Sequence, residues 1–146
     1  MNAGALRNVS DITYSTAKQI LDLVFDEASK RNLNLACAVA DRAGNVVMAG
    51  RMDDSQVGAL TLAQDKAFTA VAFGHPTSKW AQVSKPGESD WGLAQTLGGR
   101  VIVFPGGVPV YFDGSLVGSV GVSGAASVVD EECAVLAIES LGLGIK

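Results

Sequence analysis

Apolar and polar positions recur with two different periods along this chain, and these periods divide it into helices and strands. Residues 13–31 place apolar side chains three or four positions apart, with charged side chains opposite them. This spacing predicts an amphipathic helix that covers one face of a sheet. Thr13 or Asp11 is suited to cap its first turn.

Two apolar runs, residues 34–41 and 45–52, flank the turn DRAGN, in which Gly44 can take a positive φ. They predict a β-hairpin. Asp41 precedes the turn and is expected to form an Asx-type hydrogen bond there. Neither alternating face of the first run is polar, so both faces of the sheet are expected to be covered.

Two further helices are predicted over residues 58–74 and 128–141. Ser127 is the expected N-cap of the second helix, and Gly142 ends it. Both helices are apolar over a broader arc than contact with one sheet requires. This excess predicts that the protein forms homo-oligomers.

The segment between these helices begins with residues 75–99, the least regular part of the chain, which includes both tryptophans. We expect a lid or binding loop with a short helix over 91–97. Residues 100–104, 108–112 and 115–124 then predict three strands, the last two joined by an Asp-Gly turn. The order α-β-β-α-loop-β-β-β-α indicates one α+β domain with an antiparallel sheet.

Composition and charge narrow the possible partners. The net charge is −4 and basic residues do not cluster, so nucleic acid is not an expected partner. The sequence contains no long apolar run that would span a membrane and no signal-peptide pattern at its start, so we expect a cytoplasmic protein with no membrane partner. Cys37 and Cys133 lie in apolar contexts and are expected to be buried and reduced.

Five stretches of the sequence together resemble one known family: AVADRAGNVVMAGRMD, DKAFTA, FGHPT, PGGVPVYFDGSLVGSVGVSG and VVDEECA. The chain is similar to the GlcG/HbpS family, which also occurs as the C-terminal domain of PduO-type corrinoid adenosyltransferases. This resemblance implies a profilin-like α/β sandwich around a five-stranded antiparallel sheet, usually in homo-oligomers. It also implies association with tetrapyrroles, haem among them, and with glycolate, propanediol, glycerol or cobalamin metabolism.

Glycine recurs within the last predicted strand, at Gly118, Gly121 and Gly124, although each glycine weakens a strand. One interpretation is a bulge or a helix packed closely on the sheet. The other is a cleft, lined by Gly106, Gly107, Gly121 and Gly124, whose N–H groups bind a carboxylate or propionate. No nucleotide-binding glycine motif is present.

Four side chains are candidate ligand contacts. Lys66 lies within an apolar helical arc, where its stem could extend to solvent or its ammonium could meet a buried carboxylate or an anionic ligand. His75, the sole histidine, could cap helix 58–74 or ligate iron. Arg51 could clamp a carboxylate or pair with the neighbouring acidic residues at the surface. Ser123 lies among the strand glycines and lacks the sequence of a nucleophile elbow.

No pairing of a nucleophile with a base is evident, so no catalytic residue is predicted. Tyr14, Met48, Met52 and Tyr111 are weaker alternatives for an iron ligand. The sequence favours an accessory protein that binds a small anionic molecule, with haem or a related tetrapyrrole as its cofactor.

Two alternatives to this function stay open. One is an enzyme acting on a small hydroxy-acid or diol-derived metabolite, with Lys66 as base or Schiff-base former and with Arg51 and His75 in its cleft. The other is a structural oligomerising module.

Overall fold

The structure is a computed structural model and describes residues 3–146. Helices and strands occur in the predicted order except within the long segment that follows the second helix. The helices are α1 Tyr14–Lys30, α2 Ala59–Phe73, α3 Trp80–Val83 and α4 Ser127–Ser140. The strands are β1 Ala36–Asp41, β2 Val46–Arg51, β3 Gly107–Phe112 and β4 Ser115–Ser123.

The strands form one four-stranded sheet in the order β2-β1-β4-β3, and every neighbouring pair is antiparallel. Helix α2 packs on one face, where its alanines meet Ala36, Ala38 and Ala40 of β1. Helices α1 and α4 pack on the other face, against the intervening residues Cys37 and Val39. The prediction that both faces of the sheet are covered is therefore confirmed.

The predicted fifth strand over residues 100–104 is not formed. Val101 and Ile102 are buried, but a side chain of α2 fixes this segment. Thr69 Oγ1 accepts a hydrogen bond from the Ile102 N–H at 3.0 Å and lies 3.2 Å from the Arg100 carbonyl oxygen, to which it can donate. The apolar run is thus buried by contact with a helix, which a pattern of apolar residues does not distinguish from burial in a sheet.

Both predicted hairpins are confirmed. Gly44 has φ +88°, and the Asp41 carboxylate accepts hydrogen bonds from the N–H groups of Ala43 and Asn45, as an Asx-type turn requires. Asp113 and Gly114 both have positive φ, 47° and 76°, the combination found in a type I′ turn. These turns fix the register of β1 with β2 and of β3 with β4.

Two local predictions were wrong. The helix expected over 91–97 is replaced by 3₁₀ turns at Leu93–Gln95 and Leu97–Gly99, because the neighbouring glycines adopt positive φ. Ser127 is the first residue of α4, not its N-cap. The N-cap position is Ala126, and the nearby Ala125 N–H is bound by the Asp130 carboxylate at 2.9 Å.

Candidate functional site

A buried ion pair lies where α2, α4 and the end of β4 meet. Lys66 Nζ lies 3.1 Å from Asp130 Oδ2 and donates a 2.8 Å hydrogen bond to the carbonyl oxygen of Val122. The two side chains are 1% and 2% exposed. The Phe104 ring centroid lies 5.3 Å from the ammonium. Of the two sequence interpretations of Lys66, the buried carboxylate is the one that the structure supports.

Burial shifts the proton affinities of this pair. It lowers the pKa of Lys66 from its ordinary 10.5, against the opposing attraction of Asp130 and Glu131. It also raises the pKa of Asp130 above its ordinary 3.8, against the opposing attraction of Lys66. The ammonium is buried and paired in this conformation, and a contact between Lys66 and a ligand stays a prediction. Nucleophilic attack by Lys66 would require the pair to open.

The glycines of β3 and β4 allow α2 to approach the sheet. A Cβ at Gly121 would collide with the Ala63 carbonyl oxygen, and one at Gly107 with the Lys66 carbonyl oxygen. Gly106, at φ +129°, leaves room for the side chain of Lys66, whose Nζ would lie 2.5 Å from an added Cβ. The structure therefore supports the interpretation that a helix is packed closely on the sheet.

The remaining predicted ligand contacts at this end of β4 are Ser123 and Gly124. Ser123 is 5% exposed, and Gly124 has φ +129° and packs against the backbone of Asn34 and Leu35. The Gly107 N–H donates to Thr77 Oγ1 at 3.0 Å, so this group already has an acceptor within the chain. A ligand-binding role for these glycines and Ser123 stays a prediction.

His75 lies just after α2 in a cluster of three rings, which we call the aromatic platform: Phe73, His75 and Trp80. The His75 ring centroid lies 4.7 Å from that of Trp80 and 6.4 Å from that of Phe73. His75 Nδ1 lies 2.9 Å from the Pro76 carbonyl oxygen, which can only accept a hydrogen bond. A neutral imidazole with its proton on Nδ1 can donate to this carbonyl, and its Nε2 then keeps a lone pair.

The predicted cap of helix 58–74 by His75 is wrong. The hydrogen bond of its ring goes to Pro76, and the carbonyl of Gly74 at the helix end accepts instead from the Tyr111 hydroxyl at 2.7 Å. Trp80 Nε1 is buried and lacks an acceptor among residues 3–146. Phe73 is 38% exposed. The platform thus combines a half-buried histidine, a partly exposed ring and a hydrogen-bond donor that has no acceptor within residues 3–146.

Arg51 is exposed at the end of edge strand β2, where it pairs with Ala36 of β1. It forms no ion pair with any residue that the structure describes, so the predicted surface pairing with Asp53 or Asp54 is absent. The weaker candidates are also dispersed. Tyr14 is 61% exposed at the start of α1, and Met52 Sδ lies 3.4 Å from the Leu35 nitrogen.

Sequence reasoning missed a groove along the first half of α4, with a volume of about 430 Å³. We call it the α4 groove. Its apolar lining residues are Pro105, Val128, Val135 and Leu136, and its polar lining residues are Arg31, Ser78, Glu131 and Glu132. The acidic opening of α4 was visible in the sequence as a favourable helix start. Only the fold brings Arg31 and Ser78 to it.

Two features of the described residues bear on possible partners. Within residues 3–146, no cluster of three or more histidine, cysteine, aspartate or glutamate side chains is arranged to hold a metal ion. None of the helices in that range has the length and apolar character needed to cross a bilayer.

The fold and these sites define a small α+β protein with one antiparallel sheet between two helical layers. The family model described as "Haem degrading protein HbpS-like" matches residues 12–139, so the chain belongs to the HbpS-like family. The resemblance noted in the sequence is thereby confirmed.

Curated relatives support the same assignment. A 15.0 kDa protein from the dhaT-dhaS intergenic region of Citrobacter freundii is 32% identical, over 91% of this chain and 94% of the relative. Protein GlcG of Escherichia coli K12 is 33% identical, over 77% of this chain and 81% of the relative. The corrinoid adenosyltransferase PduO of Salmonella typhimurium is 29% identical over 91% of this chain, which spans only 40% of that enzyme.

Solved structures give a close match over nearly the whole chain. The Klebsiella pneumoniae protein ORFY superposes with a TM-score of 0.92 at 32% identity, covering 97% of both chains. A complex of PduOC with haem superposes with a TM-score of 0.88 at 29% identity, covering 92% of this chain and 98% of the other.

Proposed function

We propose that this protein is an accessory protein that binds haem or a related tetrapyrrole at the aromatic platform, with His75 as the ligand to iron. The observation that carries the proposal is the hydrogen bond from His75 Nδ1 to the Pro76 carbonyl at 2.9 Å. It holds the imidazole in the tautomer whose Nε2 can bind a metal, as second-shell carbonyls commonly do for metal-ligating histidines.

The residues around His75 fit a tetrapyrrole. Phe73 is 38% exposed, and its ring would contact a flat apolar macrocycle. The buried Trp80 Nε1–H has no acceptor in the described part of the chain, and a propionate oxygen would supply one. Bound haem would bring an iron centre whose reactivity depends on its axial ligand. The residues of this chain would hold and orient that group.

The relatives support a tetrapyrrole and indicate a metabolic setting. A PduOC structure was solved with haem, and PduO itself acts on corrinoids, which are also tetrapyrroles. Another relative is named for the dhaT-dhaS region. We place the protein in glycolate, diol, glycerol or cobalamin-linked metabolism, in the cytoplasm, where the free thiols of Cys37 and Cys133 would stay reduced.

Titration of the purified protein with haemin tests this proposal through the Soret band. We expect a saturable shift at micromolar protein and at least tenfold weaker binding, with a displaced band, in His75→Ala. Trp80→Phe should also weaken binding because it removes the free donor. Its matched control, Trp91→Phe, changes a tryptophan that is 64% exposed outside the platform and should bind as the wild type does. A wild type without a saturable shift, or a His75→Ala variant indistinguishable from it, would refute the proposal.

We also infer that the protein forms homo-oligomers. Large apolar side chains stay exposed on the loops before and after α2, at Val57 (84%), Trp91 (64%) and Leu97 (53%). Contact with another subunit would remove them from water. Sedimentation equilibrium at micromolar concentration should give a mass that is a multiple of the 15.0 kDa chain. A single 15.0 kDa species over the whole concentration range would exclude this inference.

A further inference from the structure

The α4 groove contains a carboxylate whose hydrogen bonding is incomplete. Glu131 Oε1 lies 3.1 Å from Ser78 Oγ, the hydroxyl that donates to it. Glu131 Oε2 is buried and has no hydrogen-bond partner among residues 3–146. A buried carboxylate oxygen without a donor costs free energy, so a missing donor is the feature to explain.

The charges around the groove do not balance. Arg31 is bound to Glu27 at 2.9 Å and to Glu132 at 2.7 Å, and Lys66 is bound to Asp130. Glu131 therefore shares its surroundings with two cations that already have carboxylate partners, and it has no ion-pair partner of its own in the described chain. The start of helix α4 favours acidic side chains there, but it gives no hydrogen bond to Oε2.

The shape of the groove limits what could supply the donor. Its volume of about 430 Å³ lies within the range of roughly 300–1,000 Å³ that is typical of small-molecule sites. The groove is also lined by apolar side chains, Pro105, Val135 and Leu136, and Val135 lies one helical turn after Glu131 on α4. Leu136 is 45% exposed, so part of this apolar lining is open to an incoming molecule. A matching ligand would carry a positive charge at one end and a short apolar body.

We propose that the α4 groove binds a small organic cation, a primary ammonium on a short aliphatic chain. An ammonium has three N–H donors and no acceptor, so it can donate to Glu131 Oε2 and to the lone pairs of Ser78 Oγ. Such a bond between a cation and a carboxylate is about twice as strong as one between neutral groups. The aliphatic chain would cover Val135 and Leu136. None of the three residues of the aromatic platform lines this groove.

Calorimetric titration at pH 7 with n-butylammonium chloride tests the proposal, with butan-1-ol as a neutral probe of similar size. We expect saturable binding of the amine and at least tenfold weaker binding of the alcohol, a factor that corresponds to about 1.4 kcal/mol. Glu131→Gln keeps the shape and the acceptor for Ser78, and should weaken amine binding at least tenfold. Glu139→Gln, an exposed glutamate farther along α4, should leave amine binding within twofold.

A second variant keeps the test decisive if Glu131→Gln folds poorly. Leu136→Ala removes apolar surface from the groove at a partly exposed position, so it should weaken the binding of n-butylammonium at least threefold and leave the binding of methylammonium unchanged.

Equal binding of amine and alcohol, no saturable amine binding, or an unaffected Glu131→Gln variant would overturn the proposal. A cation from a second copy of the chain is the alternative occupant of the groove. In that case Glu131→Gln would change the sedimentation of the ligand-free protein and the amine would not bind, which would also overturn the proposal. The Soret titration of Glu131→Gln should match the wild type, so the two binding claims can fail independently.

Discussion

Lys66 Nζ lies 3.1 Å from Asp130 Oδ2, and this ion pair joins two helices that cover opposite faces of the sheet. The lysine side chain passes from α2 around the end of β4, where Gly106 has no side chain to obstruct it. The pair therefore connects the two helical layers directly, at a point where the sheet does not separate them. Its position suggests a structural role, which single and double substitutions can measure.

Breaking the pair should destabilise the protein strongly. Lys66→Met leaves the carboxylate of Asp130 buried without a cation, and Asp130→Asn leaves the ammonium without an anion, so each should cost about 3–5 kcal/mol. The double variant should cost less than the sum of the single changes, because no uncompensated charge remains. Urea unfolding of all four proteins measures this coupling. Additive costs would show that the pair contributes no interaction energy.

Stability should depend on pH through Lys66. Because burial lowers the pKa of Lys66 below 10.5 in the folded state, the unfolded chain binds more protons just below that value. The free energy of unfolding contributed by this group should therefore rise as pH increases towards 10.5. Urea unfolding from pH 8 upwards measures the free energy of unfolding of the wild type and of the Lys66→Met/Asp130→Asn variant. The difference between the two isolates the contribution of the ion pair. A difference that decreases with pH would contradict the direction of the shift.

Gly121→Ala should destabilise the packing of α2 on the sheet. The added Cβ would collide with the Ala63 carbonyl oxygen, a backbone atom that cannot rotate away. Overpacking of this kind costs about 1–3 kcal/mol, and more where backbone must move. Gly58→Ala is the control, because a Cβ there meets nothing within 4 Å and φ is −71°. It should cost less than about 1 kcal/mol. Equal losses in thermal unfolding would argue against close helix packing as the reason for Gly121.

Both cysteine thiols should be unreactive in the native state. Cys37 and Cys133 are 0% exposed, and burial raises the pKa of each thiol above its ordinary 9.0. The thiolate is the reactive form, so little of it is present at pH 8. Iodoacetamide at that pH should add nothing to the folded protein and two groups to the unfolded protein, as read by intact mass. Rapid labelling of the folded protein would mean that the core opens.

The strands and helices with the clearest periodicity could be predicted from the sequence because local chemistry determines them. Gly44 and the Asp113–Gly114 turn fix two hairpins, and the helices around them end within one or two residues of the expected positions. The prediction of a fifth strand was wrong because an apolar run shows that a segment is buried but not what buries it. In residues 100–104, the Ile102 N–H donates to Thr69 Oγ1 of a distant helix and not to a neighbouring strand.

The candidate sites were less predictable. Lys66 and His75 were visible as unusual residues, but their partners Asp130 and Pro76 are known only from geometry. The α4 groove was missed, because Arg31 and Ser78 are distant in sequence from Glu131 and have no pattern linking them.

The sequence by itself determined the antiparallel α+β architecture, the hairpin turns and the burial of both cysteines, because these follow from periodicity, backbone φ preferences and hydrophobicity along short stretches. Only the tertiary structure decided which charges are compensated. Whether Lys66 meets a carboxylate and whether Glu131 Oε2 has a donor within residues 3–146 depend on atoms far apart in the chain. Electrostatic energy and hydrogen bonding depend on distances in space, and the fold alone fixes those distances.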